Sequence, residues 1–294
     1  MVENRSISSK IASCIITILA IVLSFSCLLP ILYSLAVSFS SKASVAAGMV
    51  TFWPVDFTTY AYKEIIKEYA FWNSFGISVL RVLYSVGLSL STCILAAFPL
   101  SRTKSQFKAQ PVVMWILVFC MMFSGGLVPW YQTMRTYGFI NNTFCLVLAN
   151  GLPIFHLILI VNYYRNLPRE MDEAAEIDGA GPWCILFRIY VPLSVPVLAT
   201  VTLFTVVANW NEFFSGMILS TTSDHYPLQT YIQQLVVVLK TSNLTADDYE
   251  RMDQMSNQTL NAAKIFISML PVLVIYPFVQ RYFLTGIMMG SIKG

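Results

Sequence analysis

Six apolar runs, each long enough to cross the hydrocarbon core of a bilayer, constrain this chain more than any other feature. About 20 residues suffice for a helix to cross, and the runs cover residues 11–37, 77–100, 112–131, 144–163, 193–218 and 265–283. In lipid each backbone N–H and C=O must find its partner within the protein, and for isolated runs of this length that means helices. Composition agrees: only 11% of the 294 residues are charged, against roughly 25% in soluble domains, and the mean hydropathy is +0.66. The expected fold is all-α, a polytopic membrane protein with six transmembrane helices. Gly151 and Pro153 interrupt the fourth run, and Pro271 and Pro277 lie inside the sixth. Such residues can kink a span where neighbouring helices or water satisfy the freed carbonyls.

Short connections set the orientation, because Lys and Arg accumulate on the cytosolic side. A cytosolic N-terminus places Arg5, Lys10, Arg102, Lys104, Lys108, Arg165, Arg169, Arg188, Arg281 and Lys293 inside. The short outer loop 133–142 then holds only Arg135, while the longer outer segments balance their lysines with Glu64, Glu68 and an acidic run at 247–253. Both termini are expected in the cytosol. The first run is too long for the apolar part of a cleavable signal and reads as an anchor. Six cysteines without a C-x-x-C pair read as small hydrophobes. No basic patch with interleaved aromatics points to nucleic acid.

Two outer segments carry their own pattern. Residues 38–74, with Trp53, Pro54, Phe57, Tyr60 and Trp72, read as a folded segment at the interface, where aromatic rings are favoured. In the outer loop 220–263, Pro227 precedes Leu228, Tyr231, Ile232, Leu235 and Leu239, which share one helical face. Thr245 with Asp248 suggests a second, capped helix.

The cytosolic stretch 165–196 reads RNLPREMDEAAEIDGAGPWCILFRIYVPLSVP. Pro168 suits the first turn of a helix, where its missing N–H would lack a partner anyway. Glu170, Asp172 and Glu173 put negative charge at the positive end of that helix. Met171, Ala174, Ala175 and Asp178 follow at i, i+3, i+4 and i+7, making a narrow face of small side chains that another protein surface can approach closely. Asp178-Gly179 signals a turn, with Gly179 supplying positive φ. Pro182 then starts a short second helix through Phe187 to Tyr190, which Pro192 is expected to end.

Glu173-Ala174-Ala175, Asp178-Gly179-Ala180, Ile189, Pro192-Leu193 and Pro196 together resemble the EAA loop of permease subunits of carbohydrate ABC importers, in the maltose-type form. The resemblance implies a type I ABC importer permease fold as a single transmembrane domain over residues 1–294. Loop 165–192 would form the cytosolic coupling helix, docking on an ATPase subunit through Met171, Glu173, Ala174, Ala175, Asp178, Gly179 and Ala180. At the other end, Gln280-Arg281-Tyr282-Phe283 with Gly286, Gly290, Lys293 and Gly294 is similar to the ending of the smaller maltose-type permease. That likeness puts Lys293 and Gly294 at the interface between two ATPase subunits. The match departs at Ile287-Met288-Met289 and Ser291-Ile292. Together with Pro227-Leu228-Gln229, these departures resemble a branch that handles larger, sometimes acidic, oligosaccharides. The implied partners are a homologous second permease, two ATPase subunits carrying ATP and Mg, membrane lipid, and an extracellular sugar-binding protein that delivers an oligosaccharide. The implied location is a bacterial cell membrane. The outer loop 220–263 then reads either as a solvated cap or as a platform for the binding protein.

The chain itself has no G-x-x-x-x-G-K-[ST] to cradle ATP phosphates, no H-E-x-x-H and no G-x-S-x-G. It is expected to be no enzyme, with no catalytic residue, no metal ligand and no cofactor of its own. The best pathway stretch is Asn209-Trp210-Asn211-Glu212 in the fifth run. Polar groups inside a span are costly unless they face a wet cavity or a partner. They read either as sugar contacts or as ties between spans near the outer gate. His156 reads as a packing or locally hydrogen-bonded histidine. An ion-coupled secondary carrier is the rival class, but the spans offer only Glu212 and Arg81 as charged groups, both toward the outer end, and no inverted repeat is evident. A channel would need a filter or a ring of charge, which the sequence does not supply.

Overall fold

The computed structural model describes residues 7–149, 152–238 and 258–288, with side-chain surroundings for 10–149, 152–235 and 258–277. The described residues form helices and connecting loops without a strand. Among the described residues, three helices are long and apolar enough to cross a membrane as single rods: α1 (Ile7–Ser38), α4 (Tyr69–Ser101) and the last helix, Gln258–Met288, which meets that condition over Gln258–Pro277. Between α1 and α4 lie two short helices, α2 (Lys42–Ala46) and α3 (Tyr60–Lys67). The last helix passes through both Pro271 and Pro277.

The other three spans are bent pairs, for a total of up to six crossings. The run expected to be continuous from residue 112 to 131 is α5 (Gln110–Met122) and α6 (Leu127–Thr136), meeting at 111°. The break falls at Ser124-Gly125-Gly126, where Gly126 has φ +87 and ψ 171, a conformation essentially closed to residues with a Cβ. Next, α7 (Thr143–Ala149) and α8 (Ile154–Arg165) meet at 64°, with Pro153 leading into α8. After the short α9 (Glu170–Ile177), the pair α10 (Pro182–Leu193) and α11 (Val195–Asn211) meets at 77° around Ser194.

Proline chemistry explains the third bend, though differently from the sequence expectation. Pro192 does not end α10. It lacks an N–H, so the ordinary i to i−4 ladder has a gap there. Residues Leu186–Tyr190 take the wider π winding, with the Val191 N–H reaching Leu186 O. The Ser194 N–H then bonds both Tyr190 O (3.0 Å) and Val191 O (3.2 Å), and α11 starts on a new axis. The fifth span also stops earlier than residue 218. Glu212 is extended, and a separate helix, α12 (Phe214–Leu219), follows.

Two compact units emerge. In the unit that holds the described residues up to Phe71 and Ile232–Leu270, α1 exposes its apolar side chains along most of its length, as in Ile16 at 66%. A helix apolar on all sides belongs in lipid. At the C-terminal end of α1 this unit packs Ala36, Val37, Val45, Val50 and Ala262 together. The Ser38 and Tyr62 hydroxyls meet at 2.8 Å, and Lys264 Nζ meets Glu68 Oε1 at 2.7 Å.

The second unit holds the described residues of Trp72–Tyr231 and those from Pro271 on. Its core joins the ends of α4, α8, α10 and α11 through residues such as Ala97, Ile160, Val161, Leu186, Val197 and Val201. Helix α13 (Leu228–Val238), whose residues from Ile232 on belong to the first unit, buries Leu228, Ile232 and Leu235 on the expected face. Leu239, Thr245, Asp248 and the tail residues Lys293 and Gly294 lie outside the described residues.

Candidate coupling helix and translocation pathway

The charged loop folds as expected, with a shift at its start. Arg169 is the N-cap of α9, so Pro168 stands just ahead of the helix rather than in its first turn. At the other end Gly179 has φ +77, its N–H bonds Glu176 O (3.1 Å), and the Ala180 N–H reaches Ala175 O (2.9 Å). This is a Schellman closure, which satisfies the last carbonyls of the helix and requires the left-handed residue that glycine supplies.

Asp172 anchors α9 to the rest of its unit. It is 7% exposed, and its Oδ2 accepts hydrogen bonds from the Arg102 guanidinium and from the Tyr190 hydroxyl (2.8 Å). That guanidinium lies over the Phe98 ring, 4.3 Å from its centroid, and 5.1 Å from that of Tyr190. Tyr190 in turn packs edge-on against Tyr164 and Phe98. One carboxylate therefore ties together the C-terminal end of α4, α9 and α10. Removing one partner of such a pair costs about 3–5 kcal/mol, because the other charge stays buried and alone.

The remaining faces of α9 are open. Glu173, Ala174, Asp178 and Gly179 are exposed, as is Met171, while Ala175 and Ala180 pack against the core. Ile177 is 86% exposed, and Trp183 and Phe187, stacked on one another, are also exposed. A cleft of about 630 Å3 beside α9 carries Arg102, Lys104, Arg165 and Arg169 together with Asp172 and Glu173.

The four pathway residues divide by role. Asn209 accepts from the Ser85 hydroxyl (3.0 Å) and donates to Thr205 O (2.9 Å), facing a chamber between α4, α7, α8 and α11. Trp210 is buried, edge-on to Phe75 with ring centroids 5.6 Å apart. Asn211 is exposed. Glu212 pairs with fully buried Arg81 (2.5 Å), accepts from the Ser215 hydroxyl and takes the Ser215 N–H (2.7 Å), which caps α12. Consecutive helical residues point about 100° apart, so a run of four cannot line one wall.

Residues 70–288 match the family described as "Binding-protein-dependent transport system inner membrane component". The chain belongs to this family. It is similar to Protein LplC of Bacillus subtilis (strain 168), 35% identical over 91% of this chain and 90% of that protein. It is also similar to the polygalacturonan/rhamnogalacturonan transport system permease protein YtcP of the same organism, 32% identical over 91% and 93%. A solved bacterial ABC transporter involved in import of the acidic polysaccharide alginate has a chain with TM-score 0.85 and 31% identity, covering 95% of this chain and 98% of that one. This protein is thus a multi-pass permease subunit of an ABC importer, all-α with up to six spans.

Sequence reasoning read Asp172 as dipole charge and Arg102 as a topology marker, and nothing local pairs residues 70 apart. The polar face of α4 was more legible. Ser74, Ser78, Arg81, Ser85, Ser89 and Thr92 recur at helical spacing inside an apolar run, and all but Thr92 are buried.

Proposed function

We propose that this chain moves an oligosaccharide into a bacterial cell by alternating access, as one of two homologous permeases driven by two ATPase subunits and supplied by an extracellular sugar-binding protein. ATP and Mg sit on the ATPase subunits. The observation that carries the reading is the likeness over nearly the whole chain to permeases of sugar transporters, with the coupling loop intact within it. Residues 1–294 act as one transmembrane domain, with loop 165–192 in the cytosol, loop 220–263 outside and both termini inside.

Met171, Glu173, Ala174, Asp178 and Gly179 present the docking surface, Ala175 and Ala180 shape it from beneath, and Lys293 and Gly294 reach the ATPase interface. ATP binding closes the ATPase dimer and carries α9 with it. Because Asp172 ties α9 to α4 and α10, that movement passes into the spans as a rigid-body shift. The coupling requires α9 to bind the two ATPase states unequally, since equal binding shifts nothing.

Affinity purification of the tagged chain from native membranes tests the assembly. A second permease, a P-loop ATPase and a secreted binding protein are expected to co-purify, and Glu173→Ala is expected to lower the ATPase yield. A chain that purifies alone and moves solute without ATP, losing that activity to an ionophore, overturns the reading.

A further inference from the structure

A chamber of about 510 Å3 opens between α4, α7, α8 and α11. Ser85, Ser89, Thr92, His156, Thr205 and Asn209 line it on the polar side, facing leucines, Pro153 and Ala208. Ser85 is the midpoint of Tyr69–Ser101, with roughly 24 Å of helix on either side at 1.5 Å per residue. The chamber therefore sits mid-span, where polar side chains are costly unless something hydrophilic meets them.

The internal hydrogen bonds do not exhaust this cluster. Thr205 Oγ1 has one proton but three neighbours: Val201 O at 2.9 Å, His156 Nδ1 at 3.3 Å and Ser89 Oγ at 3.4 Å. The Val201 carbonyl holds it at the shortest distance. Among the described residues, that long approach to Thr205 is the one side-chain hydrogen-bond contact His156 makes, so its Nε2 has no protein partner there. A layer built only to glue helices together would be closed on itself.

No Asp, Glu, Lys or Arg lines the chamber, and the guanidinium of Arg81, one turn along α4 from Ser85, is directed to Glu212 and Ser215 instead. We propose that the chamber is a hydroxyl-binding subsite for uncharged sugar units passing through this subunit. The proposal rests on the importer reading above. Hydroxyl, amide and imidazole groups meet the sugar hydroxyls, and the leucine side meets its C–H face. A uronate carboxylate would enter this site without a cation to pair with, which a low-dielectric setting penalises. The chamber is thus distinct in its chemistry from the acidic cargo of the alginate transporter.

The test uses the complete transporter, purified through this chain with its partners and placed in nanodiscs. Ser85→Cys and His156→Cys are each treated with a charged, membrane-impermeant methanethiosulfonate, against the wild-type background of native cysteines. The introduced thiols are expected to react at rates differing about tenfold between nucleotide-free and ATP-bound states. A mixture of neutral galacto-, arabino- and xylo-oligosaccharides is expected to slow the reaction at least about threefold, while oligogalacturonates of the same length leave it unchanged. Thiols unreactive in both states, reaction that the neutral mixture leaves unchanged, or equal protection by oligogalacturonates overturns the proposal. ATP hydrolysis stimulated by the binding protein is measured on the wild-type complex in parallel. Its absence overturns the importer reading, whereas its presence with unreactive thiols overturns the chamber alone.

Discussion

Asp172 shows how much a single side chain can decide in a membrane protein. Its carboxylate is nearly buried beside Arg102, whose flat cation also covers two aromatic rings. Asp172→Ala leaves that guanidinium unpaired, and a loss of about 3 kcal/mol is expected. In detergent this should appear as a melting temperature lower by roughly 5–10 °C. Replacing both partners, Asp172→Leu with Arg102→Met, should recover more than half of the loss, because apolar groups of similar volume can stand in for a buried pair. A double variant no more stable than the single one would show that the pair does not act as a unit. Arg81 and Glu212 repeat the logic where α11 gives way to α12, the carboxylate there both neutralising a buried cation and accepting the Ser215 N–H in the first turn of α12.

At the level of elements, the bends do the positioning. The break before α6, the π-wound turn in α10 and the closure of α9 each come from a residue that cannot continue a regular helix or ends it cleanly: Gly126, Pro192 and Gly179. At Gly179 a Cβ would meet nothing within 4 Å, so any penalty is conformational rather than steric crowding. Gly179→Val should therefore strain the turn by about 1–2 kcal/mol, whereas Asn visits the left-handed region routinely. ATP hydrolysis in the assembled transporter should lose its stimulation by sugar-loaded binding protein in the Val variant and keep it in Gly179→Asn. Equal coupling in the two would show that the φ of this residue does not govern docking. Helix α9 has only eight residues and would be marginal alone. Its order comes from the Asp172 anchor and the packing of Ala175 and Ala180 on the core.

For the whole molecule, the central question is which side each loop faces. The cleft beside α9 gathers Arg102, Lys104, Arg165 and Arg169, the same residues whose excess implies a cytosolic face. Lys104→Cys and Asp224→Cys, tested separately in intact cells, give a direct reading. An impermeant thiol reagent should label position 224 at once and position 104 only after the membrane is opened. Reversed labelling would invert the topology and remove the coupling loop from the compartment where ATP is made available.

Hydrophobic run length and the EAA loop determined the class of this protein by themselves, because both are local. A bilayer demands a fixed length of apolar helix, and α9 with its closing turn is written in consecutive residues from Glu170 to Ala180. The amphipathic face of α13 and the left-handed turn at Gly179 were legible for the same reason. What tertiary structure decided is how polar side chains far apart in the chain are matched. Arg102 with Asp172, Arg81 with Glu212, and Ser85 with Asn209 are each separated by 70 or more positions, and no periodicity along the chain encodes such a pairing. Neighbours in the stretch 209–212 likewise went to different surroundings, since each helical step turns a side chain by about 100° and only the surrounding helices determine which direction is wet.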